Sequence, residues 1–87
     1  MRAFQSNEEF FQTVEALIAS LELAGNQRAA DEVRDGYRCL NGLTDGSALF
    51  LESLERVQST QSDGLSREDR QTLERLRAAV HRAVYRR

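Results

Sequence analysis

Apolar residues near the start of the chain recur at the spacing of an amphipathic helix. They fall mainly at intervals of three and four residues, which places them on one side of a helix and leaves the glutamates off that side. The apolar positions are Phe10, Phe11, Val14, Leu17, Ile18 and Leu21. Ser6 followed by Glu9 has the form of a capping box, and Gly25 is placed to end the helix in a left-handed conformation. The pattern predicts a first helix around which the rest of the chain folds.

Three later stretches repeat this periodicity with thinner apolar sides. The four predicted helices cover about residues 7–24, 27–40, 45–58 and 67–85, with a polar loop at 59–65. No stretch alternates apolar and polar residues over the length of a strand. A chain of 87 residues is long enough for one core and too short for two. We therefore predict a single all-α domain without strands, either a small four-helix bundle or an orthogonal helical domain.

Predicted caps and one glycine bear on how the helices pack. Asn26 is placed to cap the second helix, and Ser66 with Asp69 has a weaker capping-box form at the fourth. Gly36 lies inside the second helix, where glycine costs about 1 kcal/mol of helix propensity relative to alanine. This glycine indicates either that a neighbouring helix approaches closely or that the helix is weakened there.

The net charge of −2 is distributed unevenly along the chain. Residues 1–65 contain five arginines against eleven acidic residues, whereas residues 66–87 contain seven arginines against three acidic residues. An acidic body followed by a basic last helix favours binding to a charged partner. All 12 basic residues are arginine, which we take to indicate a GC-rich and hence bacterial coding sequence.

The cysteine count and the apolar runs bear on localisation. Cys39 is the single cysteine, so no disulfide can form within the chain. The sequence has no run of about 18 apolar residues and no apolar signal segment before its first acids. We therefore expect a cytoplasmic protein that does not enter a membrane.

Few residues are suited to catalysis or metal binding. His81 is the single histidine, and it lies beside Arg77 and Arg82 without a carboxylate to orient it. A structural zinc site needs four ligands of the Cys or His type, and the chain offers only Cys39 and His81. We therefore predict that the protein is not an enzyme and has no catalytic residue, cofactor or metal.

The basic last helix fits both nucleic-acid and protein partners. Its arginines lie within a narrow arc opposite the apolar side, with a tyrosine nearby. Several arginines on one face can neutralise phosphates, but the acidic remainder of the chain weakens attraction to a polyanion. Arginine and tyrosine are favoured at protein interfaces. The candidate contact residues are Arg75, Arg82, Tyr85 and Arg86 on this helix, and Leu49 and Glu52 on the third.

Parts of the sequence resemble short uncharacterised bacterial all-α proteins. The matching positions are Leu21, Gly25, Asn26, Ala29, Ala30, Val33 and the segment 44–50. The resemblance covers about residues 8–57 and implies a helical fold, while Gly36 and the Asp45–Gly46 pair depart from the pattern. Length, helix count and the acidity of the first three helices are also similar to the colicin-type immunity proteins, but the tyrosine pair of that family has no counterpart here. Neither resemblance assigns a role to a residue.

The sequence therefore predicts a non-enzymatic protein–protein interaction module of adaptor, inhibitor or immunity-like type. Its expected partner is another protein or a second copy of itself. The alternative is a small nucleic-acid-associated protein that uses its last helix. The two hypotheses differ in whether the basic face binds protein carboxylates or phosphates.

Overall fold

The computed structural model describes residues 7–40 and 46–85, and this part of the chain is all-α without strands, as predicted. Its elements are α1 (Asn7–Leu23), α2 (Gln27–Arg38), α3 (Gly46–Thr60), a one-turn 3-10 helix (Ser62–Gly64) and α4 (Arg67–Tyr85). The second helix is two residues shorter than predicted, because Cys39 and Leu40 form a turn. The predicted capping residue Ser6 lies outside the described residues.

The four helices enclose one core. α1 packs against α2 and α4, and α3 packs against the same two helices. The largest fully buried side chains are Phe50, Leu17, Leu21, Leu54, Leu73, Leu76, Val14, Val33 and Val57. Most of the apolar side predicted for α1 is therefore buried. Phe11 is an exception with 41% of its surface exposed, because it lies at the edge of that side, next to Tyr37 of α2.

Gly36 marks a close approach between α2 and α3, which decides between the two interpretations of this glycine. A Cβ atom at this position would lie 2.6 Å from the Cβ of Ser53 and 3.0 Å from the Phe50 ring. Both Gly36 and Ser53 are buried. The helix continues through Gly36, so the missing side chain provides room for α3.

The turn after α1 confirms the role of Gly25 and corrects that of Asn26. Gly25 has a φ of 83°, and the N–H of Asn26 donates to the Leu21 carbonyl at 2.8 Å, which closes the end of α1. The Asn26 side chain makes no capping bond to α2. Its amide instead donates to the Gly64 carbonyl at 3.0 Å, because the turn before α4 lies within reach. Asn26 therefore joins two turns of the molecule.

The segment predicted as a polar loop at 59–65 is partly helical. α3 extends to Thr60, whose hydroxyl donates to the Arg56 carbonyl at 2.7 Å. The 3-10 turn follows, and the buried Leu65 after it belongs to the hydrophobic core. One apolar side chain and hydrogen bonds back to the helix thus order a stretch whose composition alone predicts a loop.

The start of α4 uses half of the predicted capping box. The N–H of Asp69 donates to the Ser66 hydroxyl at 3.1 Å, as in a capping box. Asp69 is 5% exposed, and its carboxylate accepts a hydrogen bond of 2.8 Å from the Ser20 hydroxyl of α1. The end of α1 and the start of α4 are therefore held side by side, and the two helices run antiparallel.

Candidate interaction surface

The arginines of α4 lie mostly on its exposed side, away from the core. The buried side consists of Asp69, Leu73, Leu76 and Val80. We call the opposite side the α4 outer face, and its exposed arginines and tyrosine are Arg67, Arg70, Arg75, Arg82 and Tyr85. Other exposed polar side chains of α4 are Glu68, Gln71, Glu74 and His81. Seven residues are close to two helical turns, so Arg75 and Arg82 project in nearly the same direction. The predicted contact residue Arg86 lies outside the described residues.

The ion pairs between described residues fall into two groups, those across helices and those within one helix. Across helices, Arg34 binds Glu22 of α1, and Arg56 binds Glu32 of α2 at 2.7 Å. The remaining ion pairs lie within one helix: Arg34–Asp31, Arg38–Asp35 and Arg77–Glu74. In residues 7–40 and 46–85, no ion pair joins α4 to another helix. The cross-helix ion pairs between described residues therefore join α1, α2 and α3 to one another.

Glu74 is the one exposed acid of α4 with a well-defined arrangement of partners. Arg77 donates two hydrogen bonds to its carboxylate, at 2.8 and 3.0 Å, and Gln58 of α3 donates a third at 2.6 Å. The hydrogen bonds from Arg77 lower the pKa of Glu74 from 4.5 to about 2, against the opposing effect of partial burial. The charges of Glu74 and Arg77 cancel each other. A shallow depression beside them is lined by Arg67, Arg70, Gln71, Glu74 and Arg75.

The C-terminal end of α4 carries an exposed aromatic pair. Tyr85 is 67% exposed, and its ring centroid lies 4.6 Å from that of the exposed His81. Arg82 lies between them in sequence and is also exposed. An arginine next to a large exposed ring is the residue combination enriched at protein interfaces.

Leu49 and Glu52 lie on a different side of the molecule. Both are on the exposed side of α3, and Leu49 is 40% exposed. The flank of α3 near Leu49 faces α2, as the packing of Ser53 at Gly36 shows. The opposite flank faces α4, where Gln58 bonds to Glu74. The structure therefore separates this pair from the α4 outer face, and the six predicted contact residues do not form one surface.

Three exposed residues were not among the predicted contact residues: Arg67, Arg70 and Phe11. Arg67 and Arg70 extend the α4 outer face toward the start of the helix. Their spacing of three residues gives the same helical signal as the other arginines, so the sequence contained it. The exposure of Phe11 had no such signal, because its spacing matches that of buried neighbours.

The residues considered for chemistry have structural contacts of their own. Cys39 is half-buried at the end of α2, and its thiol donates to the Asp35 carbonyl at 3.5 Å. The ring of His81 lies against that of Tyr85, with an angle of 41° between the two planes. Within the described part of the chain, no group of three or more His, Cys, Asp or Glu side chains is arranged to hold a metal ion. None of the described helices combines the length and apolar character needed to cross a membrane.

The physical character of the surface is therefore clear: a basic helical face with an aromatic end, on an otherwise acidic molecule. Such a face is suited to binding a negatively charged surface. Comparison of the chain with protein-family models, with curated proteins and with solved structures finds no match in any of the three.

Proposed function

We propose that the protein is a non-enzymatic protein–protein interaction module whose α4 outer face binds an acidic surface of its partner. The observation that supports this proposal is the lack of ion pairs between α4 and the acidic helices, in residues 7–40 and 46–85. Roles as an adaptor, an inhibitor or an immunity-like protein all need such a surface. We place this activity in the cytoplasm, where a lone thiol such as Cys39 stays reduced.

The residue types of this face suit a protein partner. Arginine can bind a carboxylate through two parallel hydrogen bonds, and a tyrosine ring adds apolar contact area at low entropic cost. Tyr85 lies at the end of α4, where its ring protrudes beside Arg82. The arginines would accelerate encounter with an acidic partner, and the Tyr85 ring would slow dissociation.

Affinity purification with matched variants tests this proposal. The test variant, Arg82→Gln with Tyr85→Ala, removes one arginine and one ring from the α4 outer face. The control, Arg28→Gln with Leu23→Ala, removes an exposed arginine and an exposed apolar residue near the turn between α1 and α2. We expect proteins that co-purify with the wild type and the control to be lost with the test variant. Equal recovery with all three proteins would refute the proposal.

A nucleic-acid partner is the second candidate, because the α4 outer face carries four exposed arginines. The test is retention on heparin and on DNA across a salt series, for the wild type and for Arg75, Arg82 and Arg86 changed to Gln. Each phosphate contact steepens the dependence of binding on salt, so three lost contacts would flatten the slope measurably. A wild type that is not retained even near about 50 mM salt would exclude this candidate.

A further inference from the structure

Three exposed or partly exposed residues form a row along α1. Glu8, Phe11 and Glu15 are spaced by three and four residues, which places them on one side of the helix. Phe11 is 41% exposed between the two carboxylates. The Phe11 ring centroid lies 6.1 Å from that of Tyr37, and Glu15 accepts a 3.3 Å hydrogen bond from the Tyr37 hydroxyl. These three residues, the α1 row, are an acidic strip with an incompletely covered ring at its centre.

The α4 outer face contains a strip with the same spacing and the opposite charge. Arg75, Ala78 and Arg82 are also separated by three and four residues. The two arginines are exposed, and the alanine between them is half-buried. The charged ends of each strip are seven residues apart, which is about 10.5 Å along a helix. We call these three residues the α4 row.

We propose that the α1 row of one copy of this protein binds the α4 row of a second copy. The two helices lie parallel, with the contacts Glu8–Arg75, Phe11–Ala78 and Glu15–Arg82. The small alanine leaves a gap between two arginines that the phenylalanine ring fills, as a side chain fills a hole between helices. This inference rests on the proposed function and identifies a second copy as the partner, because the chain itself carries the complementary charge pattern.

The two rows lie on different sides of the molecule. The α1 row is on the flank of α1 that contacts α2, as its contacts with Tyr37 show. The other flank of α1 meets α4, where Ser20 bonds to Asp69. The α4 row projects from the exposed side of α4, away from the core. A contact between rows is therefore heterologous, and each bound copy keeps one free row of each kind. Association then continues beyond the dimer as concentration rises.

The mass distribution in solution tests this inference through its salt dependence. We expect the weight-average mass of the wild type, measured by light scattering and sedimentation, to rise with concentration past the dimer at about 50 mM salt. At about 500 mM salt the rise should be much smaller, because exposed charges are screened. A strictly monomeric protein at high concentration, or a plateau at the dimer, would overturn the inference.

Charge reversal provides a sharper test. Arg75→Glu with Arg82→Glu reverses the α4 row, and Glu8→Arg with Glu15→Arg reverses the α1 row. We expect each variant alone to associate at least about tenfold more weakly than the wild type. An equimolar mixture of the two variants should associate again, because each then offers the other two complementary rows. Absence of recovery in the mixture would contradict the pairing.

A matched control separates this pairing from general charge effects. Arg28→Glu with Arg38→Glu makes the same change in net charge as Arg75→Glu with Arg82→Glu, but on α2, outside both rows and outside the α4 outer face, and we expect it to associate like the wild type. Circular dichroism shows whether each variant is folded. If a variant does not fold, the salt series on the wild type still tests the inference. A monomeric protein that still captures another protein through its α4 outer face refutes this inference alone. If the protein neither associates with itself nor captures another protein, the proposed function is refuted as well.

Discussion

α2 and α4 are both amphipathic helices rich in arginine, yet their arginines have different surroundings. In α2, Arg34 binds Glu22 of the neighbouring helix as well as Asp31 of its own, and Arg38 binds Asp35. In α4, the ion pair seen among the described residues is that of Arg77 with Glu74, within the helix. Arg34 and Arg38 of α2 therefore bind acids inside the molecule, whereas Arg82, at the exposed end of α4, takes part in no ion pair between described residues.

The difference arises from what lies beside each helix. α2 packs between α1 and α3, and each neighbour places a charged side chain opposite it. Glu22 of α1 binds Arg34, and Arg56 of α3 binds Glu32. α4 also packs between two helices, but the side-chain hydrogen bonds that join its described residues to them come from the neutral side chains of Ser20 and Gln58. Exposed ion pairs contribute little to stability. The core therefore holds both helices in place, and the arginine contacts decide mainly which surface is free.

The largest expected effect comes from removing part of the buried side of α4. Leu76 is fully buried, so Leu76→Ala leaves a cavity and should lower the free energy of unfolding by about 2–5 kcal/mol. Urea unfolding followed by circular dichroism measures this loss. Arg82→Gln, on the outer face of the same helix, is the control and should unfold close to the wild type. A Leu76→Ala protein as stable as the wild type would mean that α4 is not packed as described.

A smaller effect is expected from the buried side of α2. Gly36→Ala places a Cβ atom 2.6 Å from that of Ser53, and such overpacking costs about 1–3 kcal/mol. The higher helix propensity of alanine offsets about 1 kcal/mol of this cost. We expect a net loss of stability that Ser53→Gly in the same chain partly reverses. Additive effects of the two substitutions in a double-mutant cycle would show that the helices do not meet here.

The carboxylate of Glu74, bound by Arg77 of the same helix and by Gln58 of α3, should contribute less stability in acid. The pKa of Glu74 is lowered in the folded protein to about 2, so its carboxylate contributes stability above its ordinary pKa of 4.5. That contribution is lost as the pH falls from 4.5 toward 2. Unfolding of the wild type and of Glu74→Gln at several pH values measures it. The stability difference between them should shrink over this range, and a constant difference would contradict the assignment.

The smallest effects compare the exposed arginines of the two helices directly. Arg34→Gln removes contacts to Glu22 and Asp31 and should reduce stability slightly. Arg82→Gln removes no ion pair between described residues and should leave stability unchanged while weakening association. Parallel measurements of unfolding and of mass distribution separate the two outcomes. If Arg82→Gln lowers stability as much as Arg34→Gln does, the arginines of α2 and α4 do not differ in their contacts inside the molecule.

The periodicity of the sequence determined the helices and most of the core. The apolar side of α1, the end of α1 at Gly25 and the extent of α4 follow from rules that act within a few residues, because a helix and its caps are local structures. The basic character of α4 was equally visible, since helical spacing alone puts Arg75 and Arg82 on one face.

Only the tertiary structure decided how the helices meet. It left Phe11 partly exposed, turned the Asn26 side chain toward Gly64, and brought Arg56 to Glu32 of α2. It also separated Leu49 and Glu52 from the α4 outer face. Each of these outcomes depends on the register between two helices. Periodicity defines which side of a helix is buried, but it contains no information about which residue of a neighbouring helix lies opposite.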